Sequence, residues 1–233
     1  MNPEYGIRRP SVAFCMSQEM QRKKLLIFDL DGTLIDSIVD LTEAVNRMRA
    51  TFGMGELARE QVRGMVGRGA RNLVERALPG IGAEEIEKGL AFFLAYNQEH
   101  LLDNTRLYPG VEETLRLLNG QDRVMAVISN KNTDLCRMIL SACGVDSLFR
   151  TILGADAVAE PKPSPQPLLM LLKEFSISAP EGLMIGDSIN DISAGKAAGM
   201  QTVGCTYGYG WPDELTDSDW KIDSFRHLLD LPI

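Results

Sequence analysis

The chain has 233 residues, of which 45% are hydrophobic and 24% are charged, and its formal net charge is −8. This composition suits one sizeable core, with or without a small inserted subdomain, and excludes a largely disordered chain. The acidic balance excludes a general nucleic-acid-binding protein, which needs a basic surface, and no apolar run is long enough to span a membrane.

Residues 1–22 hold charges and two prolines but no apolar stretch of the kind found in secretory signals, so we expect a loose N-terminal extension. The four cysteines and two histidines have neither metal-ligand nor disulfide spacing. This pattern predicts free thiols, no zinc site and a cytoplasmic location.

Short apolar runs alternate with helical patterns through most of the chain from residue 23 onward. Apolar runs at residues 25–28, 124–128, 183–185 and 202–203 predict strands buried on both faces. Apolar residues three or four apart predict helices over residues 110–118, 133–143, 165–175 and 191–198. The alternation predicts an α/β fold with a doubly wound, Rossmann-like parallel sheet.

Residues 37–103 break this alternation because they show helical spacing and no strand pattern. Apolar residues from Ile38 to Phe52 lie three or four apart, and several glycines punctuate the rest of the segment. We expect an all-helical cap here, inserted into a core formed by residues 23–36 and 104–233. Hinges near Asp36 and Arg106 would let the cap close over a site and exclude water.

Polar side chains follow three of the predicted strands directly. Asp29 and Asp31 follow the first strand, Ser129 follows the second and Asp187 follows the third, while Lys162 lies in a proline-rich loop. Ligands bind beyond the carboxyl ends of strands in an open parallel sheet, so we expect these groups to converge. An all-oxygen cluster without histidine or cysteine favours Mg²⁺.

Magnesium, a carboxylate nucleophile and a lysine suit phosphoryl transfer to an aspartate. Asp29 would attack phosphorus, and Asp31 would protonate the leaving oxygen and then activate water. Gly32 would allow a sharp turn, and Thr33 could orient Asp31.

Four motifs together resemble the haloacid dehalogenase-like hydrolase superfamily, and the helical insertion resembles the cap of that superfamily. The motifs are residues 29–33, Ser129, Lys162 and residues 186–191. The resemblance implies a nucleophilic Asp29, an acid/base Asp31 and phosphate ligands at Ser129 and Lys162. It also implies a Mg²⁺ site whose members are Asp29, the Asp31 main-chain carbonyl and Asp187, with Asp191 in support.

Segments 108–111, 129–131, 161–163, 206–210 and 223–225 look like those of the bacterial phosphoglycolate phosphatases. The chain departs from that pattern at three positions: Asn132 stands where the family usually has proline, Ser164 where it has histidine and Gly210 where asparagine is common. The resemblance implies hydrolysis of a small phosphorylated metabolite, with 2-phosphoglycolate as the first expectation. Phosphatases of sugar phosphates and amino-sugar phosphates share much of this framework.

Other functions stay open at this point. A sugar-phosphate mutase would keep Asp29 and Asp31 and need a cap that excludes water. A receiver-like switch would also carry a phosphorylated aspartate, but has no helical insertion of this size. A phosphonatase would need a cap lysine near the site, and the only cap lysine, Lys88, lies in a predicted helix away from the glycines.

Three residues are further candidates for contact with the substrate: Thr33, Asn130 and Arg68. Arg68, with Arg71, could meet a second anionic group, although exposed helix charges explain both equally well. Asp191 could instead cap the helix that it begins. A monomer and a homodimer are both compatible with the sequence.

Overall fold

The computed structural model describes residues 22–121 and 123–233. The predicted extension, residues 1–22, lies outside these ranges except for its last residue. Within them the strands are β1 (Leu25–Phe28), β2 (Ile35–Asp36), β3 (Arg106–Leu107), β4 (Val124–Ile128), β5 (Thr151–Leu153), β6 (Gly182–Gly186), β7 (Gln201–Cys205) and β8 (Trp220–Ile222). The α-helices are α1 (Ile38–Thr51), α2 (Arg59–Arg63), α3 (Gly69–Ala77), α4 (Ala83–Glu99), α5 (Val111–Asn119), α6 (Thr133–Ala142), α7 (Gln166–Glu174) and α8 (Ile189–Ala197).

Six strands form one parallel sheet in the order β5-β4-β1-β6-β7-β8. The predicted α/β class with a doubly wound parallel sheet is therefore confirmed. Strands β5 and β8 were not expected from the sequence. Each has three residues, of which only Ile152 and Ile222 are buried, so neither carries a readable apolar run.

The central strand is apolar on both faces because helices cover both sides of the sheet. Leu26 and Phe28 belong to a buried cluster that includes residues of α5 and α6. Leu25 and Ile27 point to the other face and belong to a cluster with residues of α7 and α8. All four side chains are fully buried, which explains an uninterrupted apolar run where a half-exposed strand would alternate.

Helices α1 to α4 form the segment between the first strand and the rest of the sheet, and they have an apolar cluster of their own. Its buried members include Met48, Val74 and Phe93. The two connections to the core pair as a short antiparallel ribbon, in which Ile35 lies opposite Leu107. Two residues in each strand leave no periodicity, so the ribbon could not be expected from the sequence. Among residues 22–121 and 123–233, no helix combines the length and apolar character that a bilayer crossing requires.

A buried carboxylate ties the start of α1 to the returning connection. Asp40 is 5% exposed and accepts hydrogen bonds from the main-chain N–H and side-chain amide of Asn104. It also accepts from the main-chain N–H and hydroxyl of Thr105, both at 2.8 Å. The contacts fix both connections at one point beside the ribbon.

Candidate active site

The strand register brings the predicted site residues to one edge of the sheet. Phe28 of β1 is aligned with Val127 of β4 and Ile185 of β6. The residues after these positions therefore leave the sheet together, and they include Asp29, Ser129 and Asp187. All three are buried polar residues, and Asp29 and Ser129 line a common cavity.

Lys162 reaches this edge from its loop and pairs with two carboxylates. Its ammonium nitrogen lies 2.8 Å from Asp29 Oδ1 and 2.6 Å from Asp191 Oδ1, and its side chain is 2% exposed. Burial alone would lower the pKa of Lys162, but the charges of Asp191 and Asp29 outweigh it and raise that pKa. The lysine is therefore a fixed positive charge beside the proposed nucleophile.

Asp187 is held by three donors from two other parts of the chain. Its Oδ1 accepts from the Thr33 hydroxyl at 3.0 Å, and its Oδ2 accepts from the main-chain N–H groups of Tyr209 at 2.6 Å and Gly210 at 3.3 Å. The expectation that Thr33 orients Asp31 is wrong, because the turn at Gly32 directs its hydroxyl to Asp187 instead. Thr33 is fully buried, which fits support of Asp187 rather than contact with a substrate.

Gly32 is required by this arrangement for two reasons. Its φ of +85° is in the left-handed region, and a Cβ at this position would overlap the Asp187 carboxylate. The glycine therefore lets the loop that follows β1 pass directly against Asp187.

Three buried carboxylates fit a divalent cation. Asp29, Asp187 and Asp191 each offer an oxygen atom within 4.8 Å of the others. Burial, together with the charge of Asp191, raises the pKa of Asp29 to about 7 against the effect of Lys162. Burial also raises the pKa of Asp187 well above its usual value, and Asp29 and Asp191 add to the effect. A hard cation would relieve this repulsion, and the all-oxygen donor set suits Mg²⁺.

Asp191 has a second task at the start of α8. Its Oδ2 accepts from the main-chain N–H of Ser188 at 3.0 Å and from the Ser188 hydroxyl at 2.7 Å. The alternative that Asp191 caps its own helix is thus observed. Its other oxygen faces Lys162, so Asp191 connects the N-terminus of α8 to the charged cluster.

Asp31 is not a member of the three-carboxylate cluster and has two partners of its own. The Ser37 hydroxyl donates to its Oδ1 at 2.5 Å. Lys131 lies 2.9 Å from Oδ2 and 3.1 Å from Oδ1, and its side chain is only 9% exposed. Sequence reasoning missed Lys131 as a site residue, although its place two residues after Ser129 at a strand end was an available signal.

Asn130 connects three segments around the site. Its amide donates to the carbonyl of Lys162 and to the carbonyl of Gly67 in the cap, both at 2.8 Å. Asn190 donates to the same Gly67 carbonyl at 3.1 Å. The Oδ1 atom of Asn130 is buried without a hydrogen-bond partner among the described residues. The predicted role of Asn130 in substrate binding stays a prediction, and the contacts show that it also joins cap to core.

Two cavities between cap and core share Asp29 and Asp31. One is largely apolar, and Ser129, Asn130 and Lys131 line its polar side. The other is polar, and Arg68 lines it. Arg68 is exposed, whereas Arg71 pairs with Glu87 and Glu75 on the outer surface of the cap. Lys88 likewise pairs with Glu84 on the surface. The remaining residues of the polar cavity that carry an amide or a guanidinium are Arg63, Asn72, Arg76 and Asn190.

A second cap–core contact was not expected from the sequence. Arg63 of α2 donates to the main-chain carbonyls of Gly208 at 2.7 Å and Tyr209 at 3.0 Å. The Tyr209 hydroxyl accepts from the main-chain N–H of Ser37 at 2.6 Å and lies 3.1 Å from Asp36 Oδ1. Because the Tyr209 N–H also holds Asp187, one loop links the cap, its first connection and the carboxylate cluster.

Comparison with known proteins identifies the family. The sequence profile of the haloacid dehalogenase-like hydrolases matches residues 26–205. A phosphoglycolate phosphatase from Colwellia psychrerythraea is 39% identical over 220 residues, which cover 91% of the chain and 97% of that protein. Phosphoglycolate phosphatase 1 from Pseudomonas aeruginosa is 43% identical over 215 residues, which cover 88% of the chain and 78% of that protein.

Solved structures show the same fold. The crystal structure of a predicted phosphoglycolate phosphatase from Haemophilus somnus has a TM-score of 0.86 and 36% identity, covering 89% of the chain and 97% of that structure. CbbY from Rhodobacter sphaeroides, solved in complex with phosphate, has a TM-score of 0.73 and 25% identity, covering 90% of the chain and 100% of that structure.

The parallel sheet, the paired aspartates beyond its first strand and the helical insertion after them define the class of capped α/β phosphatases. The chain belongs to the haloacid dehalogenase-like hydrolase family and is a phosphoric monoester hydrolase similar to the bacterial phosphoglycolate phosphatases. The family and the enzyme class expected from the sequence are therefore confirmed.

Proposed function

We propose that the protein hydrolyses 2-phosphoglycolate to glycolate and phosphate through a phosphorylated Asp29, with Mg²⁺ as cofactor. The observation that carries the mechanism is the contact of Lys162 with Asp29 and Asp191 beside the buried Asp187. The substrate is supported by the names of relatives that match nearly the whole chain. Cytoplasmic location and the choice between monomer and homodimer stay predictions.

The residues act in two steps. An Asp29 oxygen bonds to phosphorus while the bond from phosphorus to the ester oxygen breaks, and Asp31 gives its proton to that oxygen as glycolate leaves. Asp31 then takes a proton from a water molecule, whose oxygen attacks phosphorus. The bond between Asp29 and phosphorus breaks, which releases phosphate and restores both carboxyl groups.

The charges around Asp29 support both steps. Lys162 and Ser129 would bind the phosphoryl oxygens, and Asp187, held by Thr33 and the Tyr209 N–H, would contribute to the metal site. When bound, Mg²⁺ neutralises the carboxylates and the charge that develops on the phosphoryl group. The Asp31 main-chain carbonyl would complete the predicted set of ligands from the chain.

The test is phosphate release from 2-phosphoglycolate, sugar phosphates, amino-sugar phosphates and nucleotides, with Mg²⁺ and with chelator. Asp29→Asn should abolish turnover, while the exposed Asp217→Asn serves as a matched control and should retain it. Phosphorylated Asp29 should be trapped by rapid acid quenching and mass spectrometry. Preference for another ester would discard the substrate but keep the mechanism. Full activity of Asp29→Asn would refute the mechanism.

A further inference from the structure

The ion pair between Lys131 and Asp31 places a positive charge where the proposed leaving group must lie. Lys131 is 2.9 Å from Asp31 Oδ2, and both side chains are nearly buried, at 9% and 12% exposure. Two contacts to one carboxylate leave at least one of the three ammonium hydrogens for another acceptor. The Lys131 ammonium group, which is little exposed to solvent and has a hydrogen to donate, is therefore available to an anion that enters the cavity.

The wall of this cavity that the cap contributes is largely apolar. Leu41, Val66, Leu73 and Phe93 form much of the wall of this cavity. Lys131 is the one cationic residue among the described residues that line it. An anionic group that enters here therefore has a single cationic partner, beside an apolar wall where a charge-assisted hydrogen bond is strong.

We propose that Lys131 binds the carboxylate of the substrate and thereby selects a short phosphorylated hydroxy acid over a neutral phosphate ester. The inference rests on the proposed function, in which Asp31 contacts the ester oxygen. In 2-phosphoglycolate the carboxyl carbon is only two bonds from that oxygen. A group that touches Asp31 can therefore reach the carboxylate of so small a substrate.

Arg68 is the alternative cation, and its position argues against it for this substrate. It lies on the cap side of the polar cavity, is exposed and makes no hydrogen bond with Asp31 among the described contacts. Arg68 also does not line the cavity in which Lys131 contacts Asp31, whereas the carboxylate of a two-carbon acid lies only two bonds from the ester oxygen that Asp31 would contact. Arg68 would suit a second anionic group on a longer molecule.

The experiment compares two esters of equal length, 2-phosphoglycolate and 2-hydroxyethyl phosphate, which lacks the carboxylate. Lys131→Met should lower kcat/KM for 2-phosphoglycolate roughly 10- to 100-fold more than for 2-hydroxyethyl phosphate, mainly through KM. Lys131→Arg should recover much of the preference, because it restores a positive charge. Lys173→Met, which removes an exposed lysine on α7, is the matched control and should leave both values unchanged.

The outcomes separate this inference from the proposed function. Turnover of 2-hydroxyethyl phosphate shows that Lys131→Met is folded, so a selective loss supports carboxylate binding. An equal loss on both esters would mean that Lys131 acts only by positioning Asp31, and would overturn the inference alone. A selective loss in Arg68→Leu without one in Lys131→Met would also overturn it. If the unaltered enzyme hydrolyses neither ester, the proposed function fails and this inference fails with it.

Discussion

Asp40 provides a quantitative test of how the cap is joined to the core. The change Asp40→Asn keeps the size of the side chain but removes its charge and turns one acceptor oxygen into a donor. That donor would face the N–H and hydroxyl groups of Asn104 and Thr105, which now donate to both Asp40 oxygens at 2.8 to 3.0 Å. Hydrogen bonds to a charged group contribute about 1.5–3 kcal/mol each before mutual compensation, so we expect a loss of about 2–4 kcal/mol.

Urea unfolding followed by circular dichroism measures this loss. With a urea slope of about 2–3 kcal/mol/M, the unfolding midpoint should fall by about 1 M. The matched control is Glu43→Gln on the same helix, where an exposed pair with Arg47 should contribute no more than about 0.5 kcal/mol. A midpoint for Asp40→Asn equal to that of Glu43→Gln would refute the stabilising role of the Asp40 hydrogen bonds.

The pH dependence of the difference in stability between wild type and Asp40→Asn gives an independent check. Burial alone would raise the pKa of Asp40, but the hydrogen bonds from Asn104 and Thr105 outweigh it and lower that pKa. Because the pKa is lowered in the folded state, the ionised Asp40 carboxylate makes its full contribution to stability above the unfolded pKa, about 3.9. This contribution is lost as pH falls through the folded pKa. The gap between wild type and Asp40→Asn should therefore be the same at neutral pH and at about pH 5, and shrink below about pH 4. A gap that grows on acidification would contradict this sign.

Three further predictions concern the proposed Mg²⁺ site. Arg63→Ala removes the donor to the loop at Tyr209, whose main-chain N–H holds Asp187. Calorimetry should therefore show Mg²⁺ binding weakened roughly tenfold. Unchanged affinity would mean that the loop keeps its position without the contact from the cap. Gly208→Ala puts a methyl group against Asp187. It should lower kcat/KM roughly 100-fold while the circular dichroism spectrum stays native. Normal turnover would show that the loop can move to accommodate the methyl group. Burial raises the pKa of Asp29 to about 7, and in the proposed site Mg²⁺ would bind its carboxylate, so Mg²⁺ affinity should rise with pH from about 6 to 8 with proton release. Calorimetry in buffers of different ionisation enthalpy measures this release, and proton-independent heats would oppose the assignment.

The convergence of the site could be predicted because parallel strands end at one edge of a sheet. Asp29, Ser129 and Asp187 each follow a buried apolar run, and the observed register aligns those runs. No knowledge of side-chain contacts was needed for this step. It required only the direction of the strands and the polar residue at each end.

Contacts that depend on loop conformation could not be predicted. Thr33 is two residues from Asp31 in sequence, yet the turn at Gly32 sends its hydroxyl to Asp187, 154 positions away. Tyr209 resembles any loop tyrosine until its N–H and hydroxyl are seen to join Asp187 to the cap connection. Long-range pairs of this kind leave no periodicity in the chain.

The charge of the site also explains how an acidic protein can take an anionic substrate. Three carboxylates, Asp29, Asp187 and Asp191, are balanced only when one divalent cation joins the single ammonium of Lys162. A phosphate ester that enters this neutral centre brings new negative charge with no surplus cation there to attract it. The polar cavity offers positive charge through Arg68 and through the two other guanidinium groups of the cap that line it, those of Arg63 and Arg76. With the proposed cation in place and Asp31 paired with Lys131, these three guanidinium groups exceed the one further carboxylate of that cavity, Glu214. We therefore expect a locally positive cleft that opposes the net charge of −8 and attracts the ester.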